Sequence, residues 1–154
     1  MFFIDTYAKA IIRGSGKYPE IHGYAAFVPY FGKTMMTISV YGLPREKKCE
    51  CEIFALHIHE GGSCTGNADD PFANAKSHYD PEGCPHPCHS GDLPPLYADD
   101  GSAHAAFLTG RFTPEEIIGK TIIIHAKADD LHSQPSGNSG EKIACGVIEK
   151  MKED

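Results

Sequence analysis

IHGYAAFVPYFGKTMMTISVY, residues 21–41, is the stretch whose reading decides the fold. Its β-branched and aromatic residues predict two strands, 21–30 and 34–41, and Phe31-Gly32-Lys33 between them predicts a hairpin turn. Helical periodicity is missing here and through most of the first sixty residues. Upstream, residues 7–12 read as another strand, joined to the hairpin by a turn over 13–19 that carries Gly14 and Gly16. Downstream, a fourth strand is expected over 50–59. Residues 103–109, 121–126 and 142–149 follow as later strands, with 92–98 a weaker edge strand. Thr113-Pro114-Glu115-Glu116 reads as a capped helical turn, with proline at its first position and acids beside its positive end, stopped quickly by Gly119. Short strands joined by turns predict an all-β sandwich or barrel rather than βαβ units.

The chain of 154 residues is one domain's worth, 1–154. Its 41% hydrophobic residues, with 16 Gly besides, fall in the ordinary globular range, which excludes wholesale disorder. A net charge of -7 without any run of Lys or Arg makes nucleic acid a poor partner. No stretch approaches a membrane span, so no membrane partner is expected. Residues 1–10 lack a basic start, an apolar run and a small-residue cleavage site, and on that reading the protein is expected in the cytoplasm. The unusual quantity is nine His and six Cys, far more than a core of this size needs.

Residues 61–91 break the strand pattern. Six of the 11 prolines lie between Pro71 and Pro95, and no apolar period survives there. Ordering so long a loop costs about 1–2 kcal/mol per residue, so something other than a hydrophobic core is expected to hold it. This segment and its end carry His78, His86, His89, Asp92, Cys64, Cys84 and Cys88.

His57-Ile58-His59 lies inside a predicted strand, where a period of two sends both imidazoles to one face and Leu56 and Ile58 to the other. Taken alone the pair also fits a polar strand face. His125 ends another strand rich in isoleucine, and three imidazoles on rigid elements suit copper or zinc better than magnesium or calcium. In the loop, His86-Pro-Cys-His89-Ser-Gly-Asp92 offers two imidazoles and a carboxylate, and His78 would complete a tetrahedral zinc site. The competing reading is a solvated polar loop with incidental histidines.

These residues resemble the copper/zinc superoxide dismutase family, in a bacterial-like form with short loops. The likeness runs from Tyr7-Ala-Lys-Ala to Ala144-Cys-Gly-Val-Ile. Its most specific pieces are His57-Ile-His-Glu60, Gly62-Ser-Cys64, His78-Tyr-Asp-Pro81, His89-Ser-Gly-Asp-Leu93, Gly119-Lys-Thr-Ile-Ile-Ile-His125-Ala-Lys-Ala-Asp-Asp-Leu131 and Gly137-Asn-Ser-Gly. The resemblance implies an eight-stranded Greek-key β-barrel with long metal-binding loops, an architecture for which this family is a standard example. It implies copper on His57, His59, His78 and His125, and zinc on His78, His86, His89 and Asp92, with His78 as a bridge that takes up a proton during turnover. It further implies an oxidoreductase that converts superoxide to oxygen and hydrogen peroxide by Cu(II)/Cu(I) cycling, and it admits a homodimer. Asp129 matches the carboxylate that holds one copper and one zinc ligand, and Cys64 and Cys145 match the intrasubunit disulfide.

The chain departs from the family pattern in three places. Cys49, Cys51, Cys84 and Cys88 have no counterpart, and extra disulfides, a Cu(I) site and plain thiols all remain open. Only Pro87 and Cys88 separate His86 from His89, an interval short enough that Cys88 competes with His86 as a zinc ligand. Lys142 stands where the family places the arginine that guides superoxide, and superoxide dismutases are themselves a standard example of such steering. Lysine keeps the charge and loses the planar fork of donors, so steering is expected to survive and docking to weaken. Two other functions are weighed: a family-like protein that binds metal without turnover, and a structural zinc protein, against which the full copper set argues.

Overall fold

In the structure, a computed structural model that describes residues 7–45 and 47–152, the 21–41 stretch is a hairpin of β2 (His22–Tyr30) and β3 (Lys33–Tyr41). Tyr30 pairs with Lys33, so the turn is two residues, not three. Both turn residues take positive φ, 46° at Phe31 and 75° at Gly32, the primed turn whose twist matches the strands it joins. β1 (Ala8–Gly14) lies antiparallel to β2. Most of residues 1–10, on which the reading about a leader rests, falls outside the described residues.

The strand expected over 50–59 is divided. β4 (Ile53–Phe54) pairs with the short β6 (Leu96–Tyr97), and β5 (Leu56–His59) pairs with β8 (Thr121–His125). Ala55 sits at the division, its N–H donating to Lys127 O and its carbonyl accepting from His125 N. The division marks a change of partner rather than a break in extended chain. β7 (Ala103–Thr109) and β9 (Lys142–Lys150) complete the strands, and α1 (Pro114–Ile117) is the expected single turn, with Glu116 accepting from the Thr113 N–H at 2.7 Å.

The long sheet runs β5-β8-β9-β1-β2-β3-β7, with β4-β6 as a separate ribbon. Taking 53–59 as one run gives eight strands among the described residues. β6 lies against β7 and β4 continues into β5, so the curled sheet returns on itself as a barrel with non-consecutive neighbours. Alternate residues point inward: Ala8, Ala10 and Ile12 from β1, Ala25 and Phe27 from β2, and Met36, Ile38 and Val40 from β3.

β5 and β8 depart from this one-sided pattern, every residue in both being buried. Leu56, Ile58, Ile122 and Ile124 fill the barrel. The opposite faces, with His57, His59, Ile123 and His125, are covered by residues 61–92. That segment carries an apolar anchor of its own, Phe72 and Ala75 packed on Ile123 and Cys145, which its proline-rich composition concealed. It is also stitched to β5 by backbone bonds, Ile58 N to Gly91 O, Tyr79 N to Ile58 O and Glu60 N to Ser77 O, each 2.8 Å. The Cys64–Cys145 disulfide spans 81 residues and fastens it to β9.

Candidate metal centre

The pleat of β5 presents His57 and His59 to the loop side, and β8 brings His125 beside them. The isolated bridges His57–Asp92 and His59–His78 set the loop in register with β5 and carry His78 to the same place. One ring nitrogen from each of His57, His59, His78 and His125 lies within 4.8 Å of all the others, and all four residues are buried. His59 Nε2 and His125 Nε2 are 3.3 Å apart.

The second cluster gathers on Asp92. Its carboxylate lies 2.8 Å from His78 Nδ1, 3.0 Å from His86 Nδ1 and 3.2 Å from His89 Nδ1. His78 Nδ1 is 3.1 Å from His89 Nδ1. Four donors at zinc bond lengths would stand about 3.3 Å apart at the corners of a tetrahedron, close to these spacings. His57, His78, His86 and Asp92 also fall within one 4.8 Å group, so the clusters abut with His57 and His78 at the seam.

The remaining ring nitrogens select which lone pairs are free. His59 Nδ1 donates to Lys76 O at 2.7 Å and His125 Nδ1 to Gly140 O at 3.2 Å, leaving both Nε2 atoms available. Asp129 accepts from His57 Nε2 and from His86 Nε2, each at 2.8 Å, and so turns both Nδ1 atoms inward. Three buried nitrogens then have no hydrogen-bond partner among the described residues: His57 Nδ1, His78 Nε2 and His86 Nδ1. Leaving buried polar atoms unpaired costs about 1–3 kcal/mol each, which a cation accepting their lone pairs would remove. The donor set therefore fits copper on one side and zinc on the other, with His78 offering one nitrogen to each.

Burial pushes the His57 pKa down to about 2 and the His125 pKa to about 4, and His59 is likewise well below the ordinary imidazole value. For His57 the neighbouring His78 and His125 add to the effect. These rings are thus neutral at ordinary pH, the form that ligates metal. Burial alone would raise the Asp92 carboxyl, but the hydrogen bond to His78 and the surrounding imidazoles hold it below the usual range.

Arg111 and Gln134, which sequence reasoning passed over, position the zinc side, together with Gly137 of the Gly137-Asn-Ser-Gly stretch. Arg111 donates to Pro87 O at 2.7 Å and His89 O at 3.2 Å, bracing the short interval between His86 and His89. Gln134 clamps His86 at both backbone groups, accepting from its N–H at 2.9 Å and donating to its carbonyl at 2.7 Å. Gly137 has φ of +70°, and a Cβ there would collide with Asp129 Oδ1 and crowd His86 Nε2. The first two act on backbone groups, which leave no motif. His86 is buried in the cluster while Cys88 is exposed outside it. Cys49, Cys51, Cys84 and Cys88 are all free thiols, and no described metal-competent group includes any of them.

A cleft of about 850 Å³ opens over His59, His78 and His125. Lys142 lines it, with Nζ 2.7 Å from Asp70 Oδ2 and 3.3 Å from Phe72 O. The resemblance implies a guiding charge at this position, and the structure sets a carboxylate against that cation.

A β-barrel that carries a histidine bridge between a four-histidine cluster and a three-histidine, one-aspartate cluster defines a class of two-metal proteins. Residues 21–148 match the family described as Copper/zinc superoxide dismutase (SODC), and the chain belongs to that family. It is 34% identical over 150 residues to "Superoxide dismutase [Cu-Zn]" of Deinococcus radiodurans, covering 86% of this chain and 79% of that protein. It is 32% identical over 144 residues to "Superoxide dismutase [Cu-Zn] 2" of Aquifex aeolicus, covering 84% and 80%. The solved Cu/Zn superoxide dismutase from Brucella abortus superposes with a TM-score of 0.77 at 25% identity, over 92% of this chain and 99% of that one.

Proposed function

We propose that the protein disproportionates superoxide, with His57, His59, His78 and His125 holding copper and His78, His86, His89 and Asp92 holding zinc. The observation that carries this reading is the set of three buried ring nitrogens without hydrogen-bond partners, all on residues of the two clusters. Bound copper supplies the one-electron Cu(II)/Cu(I) couple through which two superoxide ions and two protons become one oxygen and one hydrogen peroxide. The chain supplies the rest. His78, shared by the two clusters, would hold both ions, and its Nε2 would be the atom that takes up and releases a proton. Asp129 keeps the rings of His57 and His86 in one tautomer and orientation. The Lys142 ammonium spends two donors on Asp70 and Phe72 and has a third for an incoming anion.

The cleft favours turnover over metal binding alone, because it opens the copper-side histidines to a small anion. Metal analysis of the purified protein together with a superoxide-decay assay tests the proposal. One copper and one zinc per chain with decay far above the uncatalysed rate is expected, and fully metallated protein without such decay would overturn it. Superoxide is the proposed small-molecule substrate and a homodimer the proposed assembly. Ile11 and Tyr24, partners across β1 and β2 and about half exposed, are an apolar pair that such a contact would cover, and sedimentation reads the mass.

Two variants probe the supporting residues. Asp129→Ala is expected to weaken metal affinity by about 10–100-fold, read by chelator competition, because two rings lose the partner that orients them. Wild-type affinity would remove Asp129 from the site. Lys142→Gln is expected to slow turnover by about fivefold, the scale of one hydrogen bond near 1 kcal/mol, while Lys142→Arg is expected to be at least as fast as wild type. Equal rates for all three proteins would show that Lys142 does not dock the anion.

A further inference from the structure

The charges lining the cleft are mostly paired. Glu60 lies 3.0 Å from Lys120, Asp70 lies 2.7 Å from Lys142, and Glu141 lies 2.8 Å from Lys17. Asp69 and Asp80 also line the cleft, and Asp80 comes within 4.0 Å of His89 Nε2. Lys76 is different. It lines the same cleft, is exposed, and has no ionic partner among the described residues.

Its backbone is also exceptional. Lys76 has φ of 61° and ψ of -150°, a region that glycine enters freely and a side chain enters only under strain. The conformation has a use, since it directs the Lys76 carbonyl to accept the His59 Nδ1 hydrogen at 2.7 Å. A carbonyl, however, is common to every residue, and glycine would supply it unstrained. The backbone contact therefore explains the conformation and leaves the lysine side chain unexplained. Strain of this kind persists where the group it places has work to do.

We infer that Lys76 is the specificity-determining cation that draws superoxide into the cleft. Lys142 cannot supply that field at a distance, because Asp70 cancels its charge. Lys76 stands unpaired among acidic neighbours, two residues before His78 in the chain, and offsets an otherwise repulsive mouth. The inference rests on the dismutase reading and adds the residue that gives an acidic protein its access to an anionic substrate.

The test uses the copper- and zinc-loaded full chain. A unit charge acting through water over about 10 Å, well inside the Debye length of about 30 Å at 0.01 M salt, changes an encounter rate by about twofold. Lys76→Gln is thus expected to slow superoxide decay by about twofold and Lys76→Glu by about fourfold at low salt, with the differences fading as salt rises. Azide affinity for the copper-loaded protein, read by visible absorption, is expected to fall in the same order. Replacing Lys142 and Asp70 together, by Gln and Asn, removes a pair of opposite charges, so its loss of rate is expected to be independent of salt. Lys76→Gly is expected to be slower than wild type yet to melt a few degrees higher in its metal-free form, as the strain is released. An active wild type whose Lys76→Gln variant matches it in rate and azide affinity at every salt concentration overturns this inference and leaves the dismutase reading standing. A fully metallated wild type without turnover overturns the dismutase reading and the inference with it. A Lys76→Gly variant no more stable than wild type overturns the argument from strain.

Discussion

His57→Ala is expected to abolish dismutation. His57 is fully buried and stands at the seam of both clusters, with Nδ1 among the unpartnered atoms and Nε2 on Asp129. Alanine removes one copper-side donor, so the remaining histidines hold the metal loosely and in altered geometry. It also strips one partner from Asp129, whose side chain is 2% exposed and keeps only His86 and the Leu131 N–H. Leaving a buried carboxylate short of a partner costs about 1–3 kcal/mol or more, so some stability is lost as well. His125→Ala separates the two effects, because that ring gives up only a backbone carbonyl and not Asp129. Both variants are expected to fall to the uncatalysed rate of superoxide decay with less than one copper per chain by elemental analysis. Turnover at wild-type level in either would remove that histidine from the copper site.

Loss of the Cys64–Cys145 bond is expected to be the largest single change in stability. Closing a span of 81 residues restricts the unfolded chain by about 4–5 kcal/mol in the chain-entropy model. The bond also lies in the small cluster where Phe72 and Ala75 meet Ile123, which is what anchors the loop at its apolar point. Serine at both positions is therefore expected to lower the denaturant midpoint and to steepen the slope, because the unfolded chain freed of its crosslink exposes more surface. Hydrogen exchange on the metal-free variant is expected to speed up through residues 61–92 while β1, β2 and β3 stay protected. A loss below about 1 kcal/mol, or uniform exchange through loop and barrel, would contradict the assigned role of the bond.

Strands with one wet face were legible from sequence because residue type and turn punctuation agree there, as in β1, β2, β3 and β7. The 50–59 segment was read as continuous because extended conformation leaves a pattern, whereas the change of partner at Ala55 leaves none. The histidines and Asp92 were legible through spacing and family resemblance. What escaped was whatever works through the backbone or through a distant partner: the clamps from Arg111 and Gln134, the cancellation of Lys142 by Asp70, and the strained Lys76. The identity of what covers β8 was hidden for a related reason. A run of isoleucines signals burial on both sides, but nothing in it says that Phe72 and Ala75 are the cover.

The backbone bonds that Ile58 and Glu60 make with residues 77–91 have one more consequence. β5 ends the hydrogen-bonded order of the long sheet, and an end strand offers unpaired amides and carbonyls to any extended chain that meets it. The segment that assembles the metal clusters is thus also the shield over that edge. Loosening it, by reduction of the disulfide or loss of the ions that fit its donors, is expected to uncover a template for strand-to-strand self-association.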